Sequence, residues 1–527
     1  MILIASGAYV LSEFQVELGK VPPCLLPVGN RKLIEFQIET LRQTFPHENI
    51  YLTLPDEYKI TSSEQKILDR LKVKRISVPE KFNLCDSLLY AINIQDDLKR
   101  DEKLYLMHGD TYFSSLNDLK KIDSIALAYS QENYNWHTVD KTKDSNLIWC
   151  GFFSFSNINY LLKCLTLERE NFVHAVERYS QKYALKLIKT QHWYDFGHVN
   201  TYFQSRANIT TQRAFNTLNI QNGIVLKKGT PYNKIKAEAF WYENIPTTLR
   251  PYIPILVDHG IDELEQAFYK LEYLPCMPLN ELYVHGKNLE FEWLRIFKYL
   301  KDYLYKAIEV PIDLQKKNEI DDDIEKLYVK KSKQRFYEYL ESVSKKPEER
   351  IIYNHQELPS LSTILDECIS KTLKQPIFYG VYHGDLCFSN ILFDSRAARI
   401  KVIDPRGMNY DGELSIYGDV KYDLAKLTHS VIGLYDFIIS GYYKLEEQSN
   451  QSIEIVFDTD ERIAQIQEEF LQNFTLNHLG VKDIMPLVVL LFLSMLPLHS
   501  DRPDRQKAMF YNALRLYSQY VYRVDKS

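Results

Sequence analysis

The chain has 527 residues, which domain-size scaling divides into roughly three to four units. At 45% hydrophobic and 25% charged residues it has the composition of a globular protein, not a disordered or fibrous one. A net charge of −6 and a pI near 6.2 argue against a nucleic-acid binder, although local basic sites and metal ions can still hold phosphates. Seven cysteines, none in a CxxC pair, exclude a disulfide framework and a zinc ribbon and point to a reducing, cytoplasmic compartment. Met1–Ala5 lacks the basic and long apolar regions of a signal peptide and reads as a first strand. The long apolar run, Ile484–Leu498, is too short to span a bilayer and contains Pro486 and Pro497, so it reads as a buried helix.

From the N-terminus the pattern alternates strand and helix. Ile2–Ile4 is a predicted strand. Arg31–Thr44, with apolar Leu33, Ile34, Ile38 and Leu41, has a helical period. Ile50–Leu54 is a strand, Ser87–Leu98 a helix, and Leu104–Met107 a strand delivering His108-Gly109-Asp110. Such alternation predicts a mostly parallel sheet with ligands at the carboxyl ends of its strands, which is where Asp110 falls. A second carboxylate stands in Trp193-Tyr194-Asp195-Phe196-Gly197. A loop, Ala5-Ser6-Gly7, precedes Pro22-Pro23-Cys24-Leu25-Leu26-Pro27-Val28.

This ordered set resembles the sugar-nucleotidyltransferase family, which includes the phosphocholine cytidylyltransferases. Its pattern is an AAG-x-G-x-R loop, then PK-x-LLPV, a strand ending in GD, and W-x-D-x-G. The resemblance implies that Asp110 and Asp195 hold Mg²⁺, which brings a phosphate nucleophile in line with the α-phosphate of an NTP. It implies an NTP site at Ala5, Ser6 and Gly7, base reading at Asp86 and Ser87, and an acceptor pocket over the Cys150–Phe155 strand. The chain departs from the pattern in its loop, Gly7-Ala8-Tyr9-Val10-Leu11, which lacks the second Gly and the Arg. Pro22-Pro23 replaces PK, leaving Lys20 or Arg31-Lys32 to supply the phosphate-binding charge. A domain that has lost catalysis and serves as scaffold is the alternative.

Polar residues over 206–215 mark a predicted linker. Next, Ile220–Gly229 reads as a hairpin with Asn222-Gly223 at its turn and Lys227-Lys228 at the end of its second strand. A helix, Lys234–Asn244, carries Glu238. Tyr269–Pro275 reads as a strand leading into a hinge, where Glu272 to Leu274 would offer backbone groups to adenine. A strand Lys, a helix Glu and an apolar hinge strand make a kinase-type small lobe, in which the Lys grips ATP phosphates and the Glu fixes the Lys. Neighbouring strand residues face opposite sides, so either Lys227 or Lys228 can point inward. Leu289–Lys306 and Asp321–Ser344 read as large-lobe helices. Asp321-Asp322-Asp323 reads as a solvated helix start, because acids favour helix N-termini.

The stretch Tyr379–Gly407 organises the C-terminal half. His383-Gly384-Asp385 is followed five residues on by Asn390, then by apolar Ile391-Leu392-Phe393, and a second strand-like run delivers Asp404. Phosphoryl transfer needs one carboxylate to receive a hydroxyl proton, and an amide and second carboxylate to hold Mg²⁺. The pattern resembles the aminoglycoside phosphotransferase and choline kinase family. That resemblance makes Asp385 the base, Asn390 and Asp404 the Mg²⁺ ligands, His383 a holder of the loop backbone, and Asp423 of Tyr422-Asp423-Leu424-Ala425 a structural cap. Arg406 is left open between an anion site and an ion pair.

The expected architecture is an α/β nucleotidyltransferase-like domain with a Rossmann-like, mostly parallel sheet over 1–205. An α+β protein-kinase-like phosphotransferase follows, with a small lobe over 216–286 and a large lobe over 287–527. The two resemblances imply sequential chemistry. ATP and Mg²⁺ would phosphorylate a small alcohol, and a second NTP, with CTP favoured, would convert the alcohol phosphate to an NDP-activated building block for capsule or other surface polysaccharide. Expected partners are the alcohol, its phosphate and nucleotides, with no nucleic acid and no membrane span; self-association is open. A degenerate nucleotide-binding or regulatory protein of polysaccharide assembly is the competing expectation. A third, an antibiotic kinase, has no need of the N-terminal domain.

Overall fold

The computed structural model describes residues 1–94, 103–132, 134, 137, 146–210, 217–229, 231–447 and 452–522. They divide into two compact units, Met1–Thr210 with His285–Lys287, and Thr211–Val284 with Asn288–Ser527.

The first unit is built on a seven-stranded sheet. Its spatial order is Lys186–Lys189, Ser124–Tyr129, Leu147–Phe155, Leu104–His108, Ile2–Ala5, Ile50–Pro55, Val73–Val78. Leu147–Phe155 runs antiparallel to both neighbours, and every other pairing is parallel. The central strands are buried and mainly apolar: Ile2, Leu3 and Ile4 are buried, as is all of Ile50–Pro55. Such runs form where both faces of a sheet are covered. One core layer joins Leu3, Leu106 and Phe153 to Leu88 and Leu161 of the flanking helices.

The helix predicted from Arg31 begins at Leu33, because Arg31-Lys32 pairs with Pro27-Val28 in a short hairpin. The helix predicted from Ser87 begins at Leu84, where Asn83 caps it by accepting from the Asp86 N–H. It is described to Asn93, and the predicted end at Leu98 lies outside the described residues. The helix Val199–Thr210 continues through the first half of the segment read as a linker, and 211–216 lie outside the described residues.

The second unit opens with an antiparallel sheet ordered Thr217–Gln221, Ile224–Lys228, Ala267–Glu272, Leu256–Ile261. Its first turn holds Asn222 at φ +51° and Gly223 at φ +76°, the left-handed pair a two-residue hairpin requires. The helix Tyr232–Asn244 buries Ile235, Ala239, Trp241 and Tyr242. A helical lobe follows, in which Met485–Met495 is buried almost all round, as its unbroken apolar sequence demands. The hairpin Ile391–Asp394/Arg399–Val402 takes Met277-Pro278 as a third strand, tying the chain after the small sheet to the segment that carries Asn390 and Asp404.

Asp321-Asp322-Asp323 is not a helix start. The helix begins at Leu314, capped by Asp313, and the three acids lie in its last turns before a π-helical turn, Lys326–Lys330, leads into Lys331–Ser342. The nearer cap outcompetes the acid run, and those acids take other partners: the Tyr379 hydroxyl for Asp321, Lys326 for Asp322, and the Tyr410 N–H for Asp323. None of the seven cysteines is in a disulfide. Among the described residues, no helix is long and apolar enough to cross a membrane.

Candidate active sites

In the second unit, Lys227 is the inward lysine. Its Nζ lies 2.8 Å from Glu238 Oε2 and 3.1 Å from Asp404 Oδ1. Lys228 points to the other face and meets Asp262 at 3.4 Å. Burial pulls the Lys227 ammonium down, but Asp404 and Glu238 outweigh it and hold its pKa above the ordinary value. Tyr269 donates to Glu238 at 2.8 Å, and the Asp404 N–H donates to the Tyr242 hydroxyl at 3.1 Å. Asp404 has φ +58°, in the left-handed region that Asp and Asn enter more readily than most side chains.

The loop carrying Asp385 is held from behind. Asp423, buried in the first turn of Lys421–Val431, accepts the N–H groups of His383 at 2.6 Å and Gly384 at 2.8 Å. His383 is buried with Nε2 2.9 Å from the Ile403 carbonyl and Nδ1 accepting from the Asp385 N–H at 3.3 Å. That pair of partners fixes the neutral tautomer protonated on Nε2. Asn390 Nδ2 donates to the Asp385 carbonyl at 2.9 Å and to Oδ2 at 3.1 Å, which leaves its amide oxygen to face a cation. Asp385 Oδ1 meets Lys426 Nζ at 2.9 Å. Burial opposes ionisation of Asp385, yet Lys426 holds the carboxyl well below the usual range, so it is an anion at neutral pH.

The segment expected to act as a hinge is partly engaged. The Glu272 N–H donates to the Ile255 carbonyl, and the Leu274 carbonyl accepts from Cys276. Among the described residues, the Leu274 N–H has no backbone partner. Arg406 packs on aromatic rings and, among the described residues, forms no ion pair. Its guanidinium sits 5.1 Å from the Tyr422 ring and 6.0 Å from that of Tyr382, with Nη2 3.3 Å from the Tyr422 hydroxyl.

In the first unit, a cavity of about 220 Å³ opens at the carboxyl ends of the strands. It is lined by the Ala5–Leu11 loop, Ser87, His108–Asp110 and Gly197, among others. The two carboxylates converge beside Gly197, although only Asp110 lines the cavity itself: a Cβ on Gly197 would lie 2.7 Å from Asp110 Oδ2 and 3.2 Å from Asp195 Oδ1. Burial, and then the charge of Asp195, push the Asp110 carboxyl up to about 6. Asp195 is oriented by Thr201 Oγ1 at 2.5 Å, His198 Nδ1 at 2.8 Å and the Gly197 N–H at 3.0 Å. Two acids that repel one another, one of them at the cavity wall, fit a divalent cation, which reverses the penalty.

Several expected nucleotide contacts are engaged elsewhere. Ser6 N–H donates to Thr53, and its hydroxyl accepts from the Cys24 N–H. Asp86 turns to Arg169 at 2.5 Å. Lys20 is 62% exposed and meets Glu80, Lys32 is buried against Glu64, and Arg31 pairs with Glu39. None of these cations lines the cavity. Among the described residues, no group of three or more His, Cys, Asp or Glu side chains is placed to hold a metal ion. Mg²⁺ commonly takes only one or two carboxylates, with phosphates and water completing its shell.

Sequence reading missed Lys426, Tyr242 and Tyr269. Lys426 was within reach: it follows Asp423 by three residues on a helix, so both share the face that props the Asp385 loop. The tyrosines carry no local signal.

No family model matches the chain, and no curated protein does. Solved structures are similar to it in separate parts. A nucleoside-diphosphate-sugar pyrophosphorylase from Vibrio cholerae is 11% identical, covering 39% of this chain and 99% of its own, with a TM-score of 0.31. A 4-diphosphocytidyl-2C-methyl-D-erythritol synthase from Anaerococcus prevotii is 14% identical, covering 40% and 98%, with a TM-score of 0.29. A thermostable mutant of aminoglycoside phosphotransferase APH(4)-Ia is 13% identical, covering 57% of this chain and 89% of its own, with a TM-score of 0.35.

Proposed function

We propose that the chain is a bifunctional, Mg²⁺-dependent transferase of the cytoplasm. Its second unit phosphorylates a small alcohol with ATP. Its first unit joins the resulting phosphate to an NMP from a second NTP, CTP in the favoured case, and releases pyrophosphate. The product is an NDP-activated building block of the kind consumed in capsule or surface-polysaccharide assembly. The observation that carries this reading is the meeting of Lys227, Glu238 and Asp404 from three distant segments, next to Ile403, whose N–H donates to the carbonyl of Asn390, which in turn reaches Asp385.

In the kinase unit Lys227 would grip the ATP phosphates, with Glu238 holding it in place, and Asp385 would take the proton from the acceptor hydroxyl. Asp404 and the Asn390 amide oxygen would hold Mg²⁺, which screens the charge of the phosphates and of the leaving group when bound. In the first unit Asp110 and Asp195 would hold the second metal site. A specific observation keeps a second reading open for that unit alone, namely that among the described residues no Lys or Arg lines its cavity. On that reading the first unit binds a nucleotide without turning it over.

The test measures two products separately, ADP from ATP and pyrophosphate from each NTP, with panels of alcohols and alcohol phosphates. Both activities, each lost independently in Asp385→Asn and Asp110→Asn, support the bifunctional reading. ADP without pyrophosphate supports the second reading. Neither product, with folded protein, overturns both.

A further inference from the structure

Three cations from three chain segments surround one buried ring beside Asp385. Lys331 Nζ, from the helix Lys331–Ser342, lies 5.8 Å from the centroid of Tyr422, and Lys426 Nζ lies 6.0 Å from it. The Arg406 guanidinium approaches to 5.1 Å. Tyr422 itself is only 3% exposed. Among the described residues, Lys426 alone of the three meets a carboxylate, Asp385, at 2.9 Å. Asp323, whose charge also acts on Arg406, accepts instead from the Tyr410 N–H at 2.5 Å. Asp423, which also acts on Arg406, is taken up by the His383 and Gly384 N–H groups, so among the described residues the three cations share a single ion pair.

Half-buried cations without counterions are unfavourable, and a packing role for the Tyr422 ring needs only one of them. The excess is large enough to act on its surroundings. Burial opposes ionisation of the Tyr422 phenol, yet Lys331, Arg406 and Lys426 pull it down to about 7. Burial, with Arg406 nearby, pulls the Lys331 ammonium down to about 8. A ligand anion would relieve both.

Asp385 separates this cluster from the nucleotide side. Its Oδ2 is turned to Asn390, and its Oδ1 to Lys426. The phosphates of ATP would approach from the side of Lys227 and Asp404, so the cluster lies where the acceptor must arrive.

We propose that Lys331, Arg406 and Lys426 bind an anionic group, carboxylate or phosphate, carried by the alcohol that the second unit phosphorylates. The acceptor is then a hydroxy acid or a polyol phosphate, not a neutral sugar or an amino alcohol. This rests on the phosphotransferase reading above. In the step itself the acceptor oxygen bonds to the γ-phosphorus of ATP, the bond from that phosphorus to the β,γ-bridging oxygen breaks, ADP leaves with the electron pair, and the hydroxyl proton passes to Asp385.

The test uses the full chain with Mg²⁺-ATP and a matched three-carbon series: glycerol, glycerate and glycerol 3-phosphate, with ethanolamine as the cationic arm. ADP release should favour glycerate or glycerol 3-phosphate by tenfold or more in kcat/KM, and which of the two wins separates carboxylate from phosphate. Lys331→Met should raise the KM of that acceptor at least tenfold and leave the KM of ATP within twofold, while Lys331→Arg restores most of it. Equal or better turnover of glycerol or ethanolamine overturns the proposal, as does a Lys331→Met effect confined to ATP. Absence of ADP release with every acceptor counts against the kinase reading. Calorimetry then decides the cluster separately. Binding of inorganic phosphate, glycerate or glycerol 3-phosphate that is lost in Lys331→Met supports the site, and no binding by any of them overturns it.

Discussion

Lys227 and Glu238 meet at 2.8 Å with the Glu238 side chain fully buried and that of Lys227 only 7% exposed. A buried pair contributes little net stability, but removing one partner leaves the other charged in a poor solvent. Lys227→Met should therefore lower the stability of the second unit by about 3–5 kcal/mol, with ATP affinity lost as well. Lys227→Met/Glu238→Gln should recover most of the stability and none of the affinity. Urea melts with calorimetric ATP titrations separate the two effects, and recovery of both together would show that Lys227 does not touch the nucleotide.

Asp385→Asn keeps the shape of the side chain and removes the base. Phosphoryl transfer should fall by about 10²–10⁴-fold, the usual contribution of a positioned acid or base. ATP affinity should change little, since Asp385 is turned toward Asn390 and Lys426 and away from Lys227. A rate within tenfold of wild type would remove Asp385 from the chemistry.

These sites were legible in the sequence to different depths. The spacing of Asp385, Asn390 and Asp404 is local enough for one hairpin, Ile391–Val402, to impose their geometry. The choice between Lys227 and Lys228 was not legible, because strand alternation says that they differ and not which one faces the site. Register settles it: Lys227 pairs opposite Tyr269, whose hydroxyl reaches Glu238, on the face that the helix Tyr232–Asn244 covers. The Asp321–Asp323 run misled because composition gives a helix end no direction, and Asp313 had already capped the helix. In the first unit, the strand ends carrying Asp110 and the Ala5–Gly7 loop were legible from alternation. The partners of Lys20, Lys32 and Asp86 are tertiary ion pairs and were not.

Thr201 tests the first unit without touching a carboxylate. Its hydroxyl donates to Asp195 Oδ2 at 2.5 Å and is buried. Groups that orient a metal ligand typically matter by 10–100-fold. Thr201→Val should weaken Mg²⁺ activation of pyrophosphate release by about that factor, leaving ADP release from the second unit unchanged. An unchanged Mg²⁺ dependence, in a protein that does release pyrophosphate, would place the metal away from Asp195.

Gly407 sets how closely the Asp404 segment approaches the helix that carries Glu238. Its φ is +66°, and a Cβ there would lie 1.9 Å from the Ala237 carbonyl oxygen. That contact is with backbone and has no side-chain route of escape. Gly407→Ala should push the helix Tyr232–Asn244 outward, lengthen the Lys227–Glu238 contact and cost activity and stability together. A variant that melts like wild type and retains full ADP release would mean that the two segments are not held as closely as the geometry requires.

His383 gives the second unit a defined response to acid. It is fully buried, and burial pulls its pKa down to about 4, against roughly 6.5 for an unfolded histidine. Between those values the unfolded chain binds a proton that the folded chain refuses, so stability falls as pH drops through the window. The contribution is fully present above about pH 6.5, is lost progressively down to about pH 4, and amounts to roughly 3 kcal/mol at 1.36 kcal/mol per unit. Protonation of Nδ1 would also expel the Asp385 N–H it accepts and loosen the loop that carries the base. His383→Gln preserves a donor for the Ile403 carbonyl and has no titrating ring. Urea unfolding at pH 7.5 and pH 4.5 should show a smaller loss of stability in the variant than in wild type, with His429 supplying the same background to both. Parallel losses in the two proteins would mean that His383 titrates normally and is not locked in its neutral form.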